Sequence, residues 1–450
     1  MSRLRILALA SFCNPEGISM PYVAYCHAAA LARLHDVTLV IERPSEEQVR
    51  RAEGGFHGIE VVKMPRLERF YAWALRRVFR YNYASQVLTA FQLPFAQAFE
   101  WFAWRQLRSR ILGGEFDVVI RLLPITAVQP SPFVFFLRKG PIPIVVGPIN
   151  GGLPFAEGFS QAENQKQWIS GFRKFYRFMP FARSTFRNAA AILAASSHTC
   201  GEFSQHRDKV FFIPENGVER QMCMNLRPAD RGAGPLALIF VGGLLPYKAC
   251  DLALRAALPL LQHGQARLTV LGDGPERGRL EAMARAFGVE AAVDFHGWVS
   301  HAEVLRHLRA ADIFLFPSVR DFGAGVVFEA LASGAVPVVS DIGGPGDIVH
   351  AGVGRKAVLT TEDGVVAQMQ VFLGELAGDR ALLHRLSEAG IQYAQTRLTW
   401  DAKAQDTSRV LDWVLGCGPK PSLTPPRTAA AVDVDLPAAP PLFAGRPAAE

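Results

Sequence analysis

Short apolar runs alternate with segments of helical periodicity along most of the chain. This alternation predicts buried parallel strands that are joined by helical crossovers. A strand at Leu4 to Ala10, a helix from about Tyr22 to Leu34 and a strand at Val37 to Ile41 form the first unit. Further strands complete a predicted first α/β domain over residues 1–225: Phe116 to Ile120, Ile142 to Val146, Ala190 to Ala195 and Val210 to Ile213.

The same alternation resumes after Arg227 to Pro235, a polar segment with Gly and Pro that is predicted to link two domains. The second domain, residues 226–385, is predicted to be doubly wound like the first. Its helices are predicted from Lys248 to about His263 and around Arg277 to Phe287. Its strands are predicted at Leu236 to Val241, Arg267 to Leu271, Val293 to Phe295, Ile313 to Phe316 and Val336 to Val339.

The end of the chain carries two further patterns. Residues 386–416 are predicted to form a helix that returns toward the first domain. Residues 417–450 are rich in Pro and Ala, lack a core pattern, and are predicted to be disordered.

The length of the chain agrees with two domains, and its composition restricts the kinds of partner that it is expected to bind. A chain of 450 residues is too long for one compact core. A net charge of +7 and a pI near 9.2 favour an anionic partner. The six cysteines show neither CxxC pairing nor metal spacing, so they are predicted to be reduced thiols and no metal is expected. The apolar start leads directly into the first βαβ unit, and no apolar run is long enough to span a membrane, so the sequence predicts a cytoplasmic protein.

The positive charge concentrates in a predicted helical insertion of the first domain, at about residues 66–110. Aromatic residues interleave with its arginines, and a second such stretch runs from Trp168 to Arg187. Basic aromatic helices suit an anionic membrane surface, so peripheral association with the inner face of a membrane is one prediction. Inward packing of the aromatic rings is the alternative. Nucleic acid is not expected, since no helix-turn-helix, RNA-binding or zinc pattern accompanies the charge.

The most informative segment runs from the strand at Ile313 to Phe316 into a glycine-bearing loop with Asp321, then into a helix with Glu329. Backbone N–H groups and the positive end of the dipole at a helix start favour an anion such as phosphate. Eight helical positions span about 12 Å, wider than the roughly 5–9.5 Å between the carboxyl groups of a glycosidase. The Asp321 and Glu329 carboxylates are therefore predicted to bind different parts of one long ligand. The alternatives are an N-cap role for Asp321 and a capping or salt-bridge role for Glu329.

A second motif follows the strand at Leu236 to Val241. The strand ends at Gly242-Gly243, and Lys248 lies beside the next predicted helix start, where it can neutralise a diphosphate leaving group. The alternative is a solvated lysine after an ordinary turn. Two weaker turns, one with Gly272 and one with Val299, follow in order.

The segment from Asp321 to Glu329, continued by Ala-Leu-Ala-Ser-Gly, resembles the signature of the retaining GT-B nucleotide-sugar glycosyltransferases of the family 4 type. The family usually has Glu where this chain has Asp321, and Arg where it has Gly243. The match covers residues 236–345. The resemblance implies a GT-B fold: two Rossmann-like doubly wound domains facing a central cleft, with a C-terminal helical return. It implies transfer of a hexose from a UDP-, GDP- or ADP-sugar to a hydroxyl of a glycan or lipid-linked acceptor, with no separate cofactor.

The resemblance also implies roles for individual residues. Lys248 and the Gly242-Gly243 turn would hold the diphosphate, with Gly272 in a neighbouring turn and Val299 near the base. Glu329 would hold the ribose, and Asp321 with the backbone of Phe322, Gly323, Ala324 and Gly325 would hold the sugar and β-phosphate. Asp321, Lys248 and Arg121 are the predicted catalytic residues. Arg121 lies at a strand end after which family members often carry a histidine, and it is predicted to face the cleft.

Four further interpretations stay open or are disfavoured. The loop from Gly147 to Gly152 resembles one that borders the cleft in one branch of the family, and a plain loop after a strand is the alternative. The turn from Pro214 to Val218 resembles a family turn near the domain junction and is predicted to be structural or cleft-lining. A membrane-docked protein of the same fold that binds nucleotide sugar without transferring it is the alternative function. A nicotinamide-dependent dehydrogenase is disfavoured, because the first βα loop lacks the GxGxxG fingerprint.

Overall fold

A computed structural model describes residues 3–17, 19–77, 86–124, 126, 129–153, 159, 180–224 and 234–425. The first of its two sheets has seven parallel strands in the order β3-β2-β1-β4-β5-β6-β7. The strand bounds are β1 Arg5–Ala10, β2 Asp36–Glu42, β3 Gly58–Val62, β4 Val118–Leu123, β5 Ile144–Ile149, β6 Ala191–Ala194 and β7 Val210–Phe212. Each strand predicted in this half is present.

The second sheet has six parallel strands in the order β10-β9-β8-β11-β12-β13. Their bounds are β8 Leu236–Val241, β9 Ala266–Leu271, β10 Val293–Gly297, β11 Ile313–Phe316, β12 Val336–Ser340 and β13 Arg355–Ala357. The predicted architecture of two doubly wound α/β halves is confirmed.

Helices cover the faces of both sheets. Those of the first half are α1 Met20–Leu34, α2 Glu46–Arg51, α3 Pro65–Arg77, α4 Gln86–Leu112, α5 Pro132–Leu137, α6 Ala182–Asn188 and α7 Ser197–Glu202. Those of the second half are α8 Cys250–Gln262, α9 Arg277–Ala286, α10 His301–Ala310, α11 Gly325–Ser333, α12 Gly343–Ile348, α13 Glu362–Gly378 and α14 Arg380–Tyr393. The last helix, α15 Trp400–Val414, packs on the first half.

Alternate residues of β1 show how the first sheet is buried on both faces. Ile6 and Ala8 belong to an apolar cluster that includes α1 and α15, whereas Leu7 and Leu9 belong to a cluster that includes Phe99 of α4. Strands that are covered on both sides read as continuous apolar runs, which is why the sequence displays them so clearly.

The strand order places a crevice in each half. The order reverses between β1 and β4 in the first sheet and between β8 and β11 in the second. Ligands of open parallel sheets bind outside the carboxyl ends of the strands at such a reversal. The loops that begin at Gly242 and after Phe316 leave this edge of β8 and β11, so the fold brings the two strongest motifs together.

The end of the chain returns to the first half through α15. His27 Nε2 lies 2.9 Å from Thr407 Oγ1, and His35 Nε2 lies 2.7 Å from Ser408 Oγ, with all four side chains buried. These contacts make α15 part of the first domain's core, as the predicted return requires.

The structure corrects parts of the sequence prediction, and some predicted segments lie outside the described residues. β3 and β13 were not predicted, because both are edge strands with partly exposed, mixed sequences. Disorder was predicted to begin at residue 417, but residues 417–425 are described and Leu423 O accepts a hydrogen bond from Phe212 N–H at 2.9 Å. Most of the predicted linker, most of the stretch from Trp168 to Arg187, and residues 426–450 lie outside the described residues.

The basic aromatic insertion divides its rings between core and surface. Phe95 and Phe99 of α4 are buried. Other rings of α3 and α4 are exposed beside exposed arginines of the same helices. The exposed rings are Phe70, Trp73, Trp101 and Phe102, and the arginines are Arg66, Arg69, Arg77, Arg105 and Arg108. The inward-packing alternative therefore accounts for only part of this insertion.

Candidate active site

Backbone hydrogen bonds join the turns that follow β8, β9 and β10. Gly242 N–H donates to Leu271 O at 2.9 Å, and Gly272 N–H donates to Gly297 O at 2.8 Å. Gly272 has a φ of +134°, and a Cβ at this position would lie 2.0 Å from Gly242 O. Glycine is therefore required at position 272, where the β9 turn presses against the start of the Gly242-Gly243 turn.

Lys248 lies just before a helix rather than inside it. It ends the 3-10 turn Pro246–Lys248, and α8 begins at Cys250 instead of at Lys248 as predicted. Val319 N–H donates to Tyr247 O at 2.9 Å. This bond fixes the turn that carries the lysine to the loop that leaves β11.

Lys248 and Asp321, two of the predicted catalytic residues, contact each other. Lys248 Nζ donates to Asp321 Oδ2, and the two side chains are 19% and 10% exposed. Asp321 Oδ1 also accepts the Ala324 N–H at 3.2 Å. The residue that precedes α11 is Ala324, so Asp321 is not its N-cap. The carboxylate nevertheless holds its own loop while it meets the lysine.

Two glycines at the start of α12 support the loop that contains Asp321. Gly344 N–H donates to Phe322 O at 2.9 Å. A Cβ at Gly343 would lie 2.0 Å from Asp321 O, and one at Gly344 would lie 2.4 Å from Phe322 O. This close backbone packing was not predicted from the sequence, although Gly-Gly-Pro-Gly at positions 343–346 was its visible signal.

Glu329 lies on α11 with its side chain 22% exposed. His301 Nε2, at the start of α10, lies 2.9 Å from Glu329 Oε1. The hydrogen bond to this carboxylate raises the pKa of His301 above its usual value. Glu329 therefore forms the salt bridge considered as an alternative whenever His301 is protonated. The sequence did not identify His301 as its partner.

The loop between β10 and α10 holds Val299, the residue predicted to lie near the base. Its neighbour Trp298 is 71% exposed. A Cβ at Gly243 would lie 3.7 Å from Trp298 Cη2, so the indole reaches the turn after β8. Like His301, Trp298 lies at this edge of the sheet and was given no role by the sequence prediction.

The prediction that Arg121 faces the cleft is wrong. Its side chain is 1% exposed, and Nε donates to Glu100 Oε1 at 2.6 Å. The other guanidinium nitrogens donate to Pro124 O at 3.1 Å and to Gln129 O at 2.9 Å. A buried guanidinium requires such partners, so Arg121 fixes the loop after β4 instead of meeting a ligand.

Residues of the first half lie against the second half at this site. Arg320 Nε donates to Leu153 O at 3.2 Å, and Ser197 N–H donates to Asp347 Oδ2 at 2.7 Å. Of the predicted loop from Gly147 to Gly152, residues 147–149 belong to β5, and Asn150 donates to Glu215 in the turn after β7. That turn reaches the junction, because a Cβ at Gly323 would lie 2.7 Å from Glu215 Oε2. The turn contributes the buried Glu215, which belongs to the same electrostatic neighbourhood as Asp321.

The described residues also bear on two kinds of partner, metal ions and membranes. Within the described ranges, His, Cys, Asp and Glu form no group of three that could hold a metal ion. The helices of the described residues include none that is long and apolar enough to cross a membrane.

Comparison with known proteins finds a family similarity in the second half. Residues 228–392 match the family model described as "Glycosyl transferases group 1". The glycogen synthase of Mycobacterium tuberculosis is 32% identical over 179 residues, which are 39% of this chain and 42% of that one. The putative colanic acid biosynthesis glycosyltransferase WcaL of Escherichia coli is 28% identical over 296 residues, 61% of this chain and 70% of that one. The chain thus spans less than half the length of the first of these relatives.

Solved structures confirm the predicted GT-B architecture over nearly the whole chain. HepE of Anabaena, crystallised with UDP, superposes with a TM-score of 0.59 at 16% identity and covers 91% of this chain and 100% of its own. The lipopolysaccharide outer core galactosyltransferase WaaB gives a TM-score of 0.59 at 14% identity and covers 91% of this chain and 99% of its own. At such identities the likeness establishes the fold.

Proposed function

We propose that the protein is a retaining glycosyltransferase that moves a hexose from a nucleotide diphosphate sugar to a hydroxyl of a glycan or lipid-linked acceptor. The observation that carries the proposal is the contact between Lys248 and Asp321 at the reversal between β8 and β11. Both residues fall inside the matched glycosyl transferase domain. The names of the relatives, glycogen synthase and a colanic acid enzyme, favour a role in polysaccharide or glycolipid synthesis.

The donor fits this edge of the sheet as follows. Lys248 and the Gly242-Gly243 turn hold the diphosphate, with Gly272 behind them. Asp321, together with the backbone from Phe322 to Gly325, holds the sugar and the β-phosphate. Glu329 holds the ribose hydroxyls, and Val299 lies beside the base. UDP is the first nucleotide to test, because HepE was crystallised with it; GDP and ADP are the others.

In the proposed reaction the bond between the anomeric carbon and the β-phosphate oxygen breaks while the acceptor oxygen bonds the same face of that carbon. The acceptor proton passes to the departing phosphate. Lys248 stabilises the negative charge that develops on that phosphate, because an ammonium in a partly enclosed site is already in place when the charge forms. Closure of the two halves brings the acceptor to the donor.

The proposal of a lipid-linked acceptor includes binding of the protein to an anionic membrane surface. The exposed rings and arginines of α3 and α4 offer apolar contact and positive charge to an anionic bilayer on the cytoplasmic side. Co-sedimentation with vesicles containing an anionic lipid tests this point. We expect binding that weakens with salt and is lost when Phe70 and Trp73 are replaced by alanine. Equal binding to vesicles of neutral lipid, or none to either, would contradict it.

The alternative is a protein of this fold that binds nucleotide sugar without transferring it. Gly243 and Asp321, which replace the family's usual Arg and Glu, are the observations that favour it.

Slow hydrolysis of donor, measured as release of nucleoside diphosphate without acceptor, separates the two functions. We expect hydrolysis by the wild type and its loss in Lys248→Ala, with Lys209→Ala as the matched control outside the site. A donor that binds but is never hydrolysed or transferred would favour the scaffold.

A further inference from the structure

The turn after β7, residues 214–218, lies where three parts of the molecule meet. Glu215 within it is 7% exposed. Its carboxylate accepts a hydrogen bond from Asn150 Nδ2, in the loop after β5. Its backbone O accepts one from Lys403 Nζ of α15, which is itself buried. The turn is therefore tied both to the first sheet and to the returning helix.

The start of α15 restrains the same turn from a second side. Val218 N–H donates to Leu398 O at 2.9 Å, and Trp400 N–H donates to Val218 O at 3.1 Å. A Cβ at Gly217 would lie 2.8 Å from Trp400 Cδ2. With its backbone bonded and its glycine covered by an indole, the turn has little room to move.

This turn contacts the loop that carries Asp321. A Cβ at Gly323 would lie 2.5 Å from Asn216 Nδ2 and 2.7 Å from Glu215 Oε2. A Cβ at Gly325 would lie 3.3 Å from Asn216 Oδ1. Two polar side chains of the first half therefore touch the backbone of the donor loop between its carboxylate and α11. The absence of a side chain at Gly323 is what makes this contact possible.

A carboxyl group at this place is costly for the fold. Burial raises the pKa of Glu215 to about 7, and nearby Asp321 acts in the same direction, while the Asn150 amide and Lys403 oppose the rise. A buried carboxyl group beside a second carboxylate lowers stability unless it is compensated. Strongly perturbed acids concentrate at functional sites, and the proposed reaction gives this one no chemical role.

We infer that Glu215 is a positioning residue, which holds the loop from Asp321 to Gly325 in the arrangement that donor transfer requires when the two halves meet. The inference rests on the proposed function and deepens it. Asn150 orients the Glu215 carboxylate, Lys403 fixes its backbone, and Asn216 supports the same loop. A residue of the acceptor half thereby completes the donor site.

The test compares Glu215→Ala with Glu47→Ala, a control whose side chain is 79% exposed in the first half. We expect turnover in Glu215→Ala to fall about 10²-fold, as when a small misplacement of reacting groups follows a remote change. Affinity for the nucleoside diphosphate alone, measured by calorimetry, falls much less than turnover, because Lys248 and the turn after β8 are untouched and only the contact of the loop with the β-phosphate is affected. Glu215→Gln keeps an oxygen for the Asn150 amide and restores most of the turnover.

Two results would overturn the inference. One is wild-type turnover in Glu215→Ala. The other is an equal loss of turnover and diphosphate affinity in Glu215→Ala that Glu215→Gln does not restore, which is the behaviour of a merely structural residue.

A second measurement needs no donor. Hydrogen–deuterium exchange over residues 319–326 of the full chain should be faster in Glu215→Ala than in the wild type, and unchanged in Glu47→Ala. Unchanged exchange in Glu215→Ala would show that Glu215 does not restrain the loop, and would overturn the inference. If the wild type turned over no nucleotide sugar, the proposed function would fail, and the exchange rates would still decide the contact between Glu215 and the loop.

Discussion

At the scale of single residues, the cations Arg121 and Lys248 have different roles because one is buried and the other is partly exposed. The Arg121 guanidinium is enclosed, and its N–H groups fix a loop through Glu100 and two carbonyl oxygens. The Lys248 side chain is 19% exposed, so its ammonium is accessible to the phosphate of the proposed donor. The difference arises from burial, because both residues are cations near the carboxyl end of an apolar strand.

Removing one partner of the buried pair should destabilise the first half. Arg121→Ala leaves Glu100 buried without its cationic partner, while the Ser131 hydroxyl and the Phe133 N–H still donate to it. We expect the free energy of unfolding to fall by about 3 kcal/mol. Urea denaturation measures the effect, with Arg105→Ala, an exposed arginine of the same region, as the control. A loss no larger than that of the control would contradict the account.

The pair of His301 and Glu329 should make stability depend on pH. The pKa of His301 is raised above 6.5 by its hydrogen bond to Glu329. The stabilisation is therefore fully present below the usual pKa and is lost as pH rises through the raised one. Since His301 is 55% exposed, solvent screens the pair and the effect stays within about 1 kcal/mol. The difference in Tm between wild type and His301→Ala should be larger at about pH 5.5, where Glu329 is still ionised, than at about pH 8; a difference independent of pH would count against the pair.

At the scale of elements, close backbone contact between turns shapes the donor side of the cleft. Gly272 touches Gly242 at the ends of β9 and β8, while Gly343 and Gly344 touch the loop after β11. These contacts leave no space for Cβ atoms, so the turns keep fixed positions around the place proposed for the diphosphate.

Gly272→Ala should disturb this packing, and Gly278→Ala should not. The first change strains a backbone at φ +134° by about 1–3 kcal/mol and places a Cβ 2.0 Å from Gly242 O. The second lies in open space on helix α9 and should raise stability by about 1 kcal/mol. Thermal unfolding and nucleotide titration measure both variants. Unaltered nucleotide affinity in Gly272→Ala would show that the turn does not shape the site.

The sequence predicted the central strands and both main loops, because strands buried on both faces form unbroken apolar runs and the glycine turns are visible beside them. It missed β3 and β13, whose edge positions need no such run. It also missed Glu100 as the partner of Arg121 and His301 as the partner of Glu329. Such pairs join elements that are distant in the chain, and no local pattern marks which two will meet.

At the scale of the whole molecule, the returning helix α15 links the end of the chain to the first half. Its buried residues share a core with β1 and α1, and its Lys403 reaches the turn that contacts the donor loop. Damage to this helix should therefore affect the first half as well as the site.

Ala404→Arg tests the return directly. Ala404 is 0% exposed within the first half's core, so a large charged side chain there should cost about 3 kcal/mol or more. The neighbouring Gln405 is exposed, and Gln405→Arg should leave stability unchanged. Denaturation followed by tryptophan fluorescence compares the two. Equal stability of both variants would contradict the packing of α15 on the first half.

The central claim is that Lys248, Asp321 and Glu329 form a nucleotide-sugar site. Calorimetric titration of wild type and Glu329→Ala with UDP-, GDP- and ADP-sugars tests it most directly, with Glu388→Ala, an exposed glutamate of α14, as the control. The account predicts that one nucleotide sugar binds the wild type and the control, and that Glu329→Ala binds it far more weakly. Absence of binding by every donor at millimolar concentration, or equal binding by Glu329→Ala, would contradict the account.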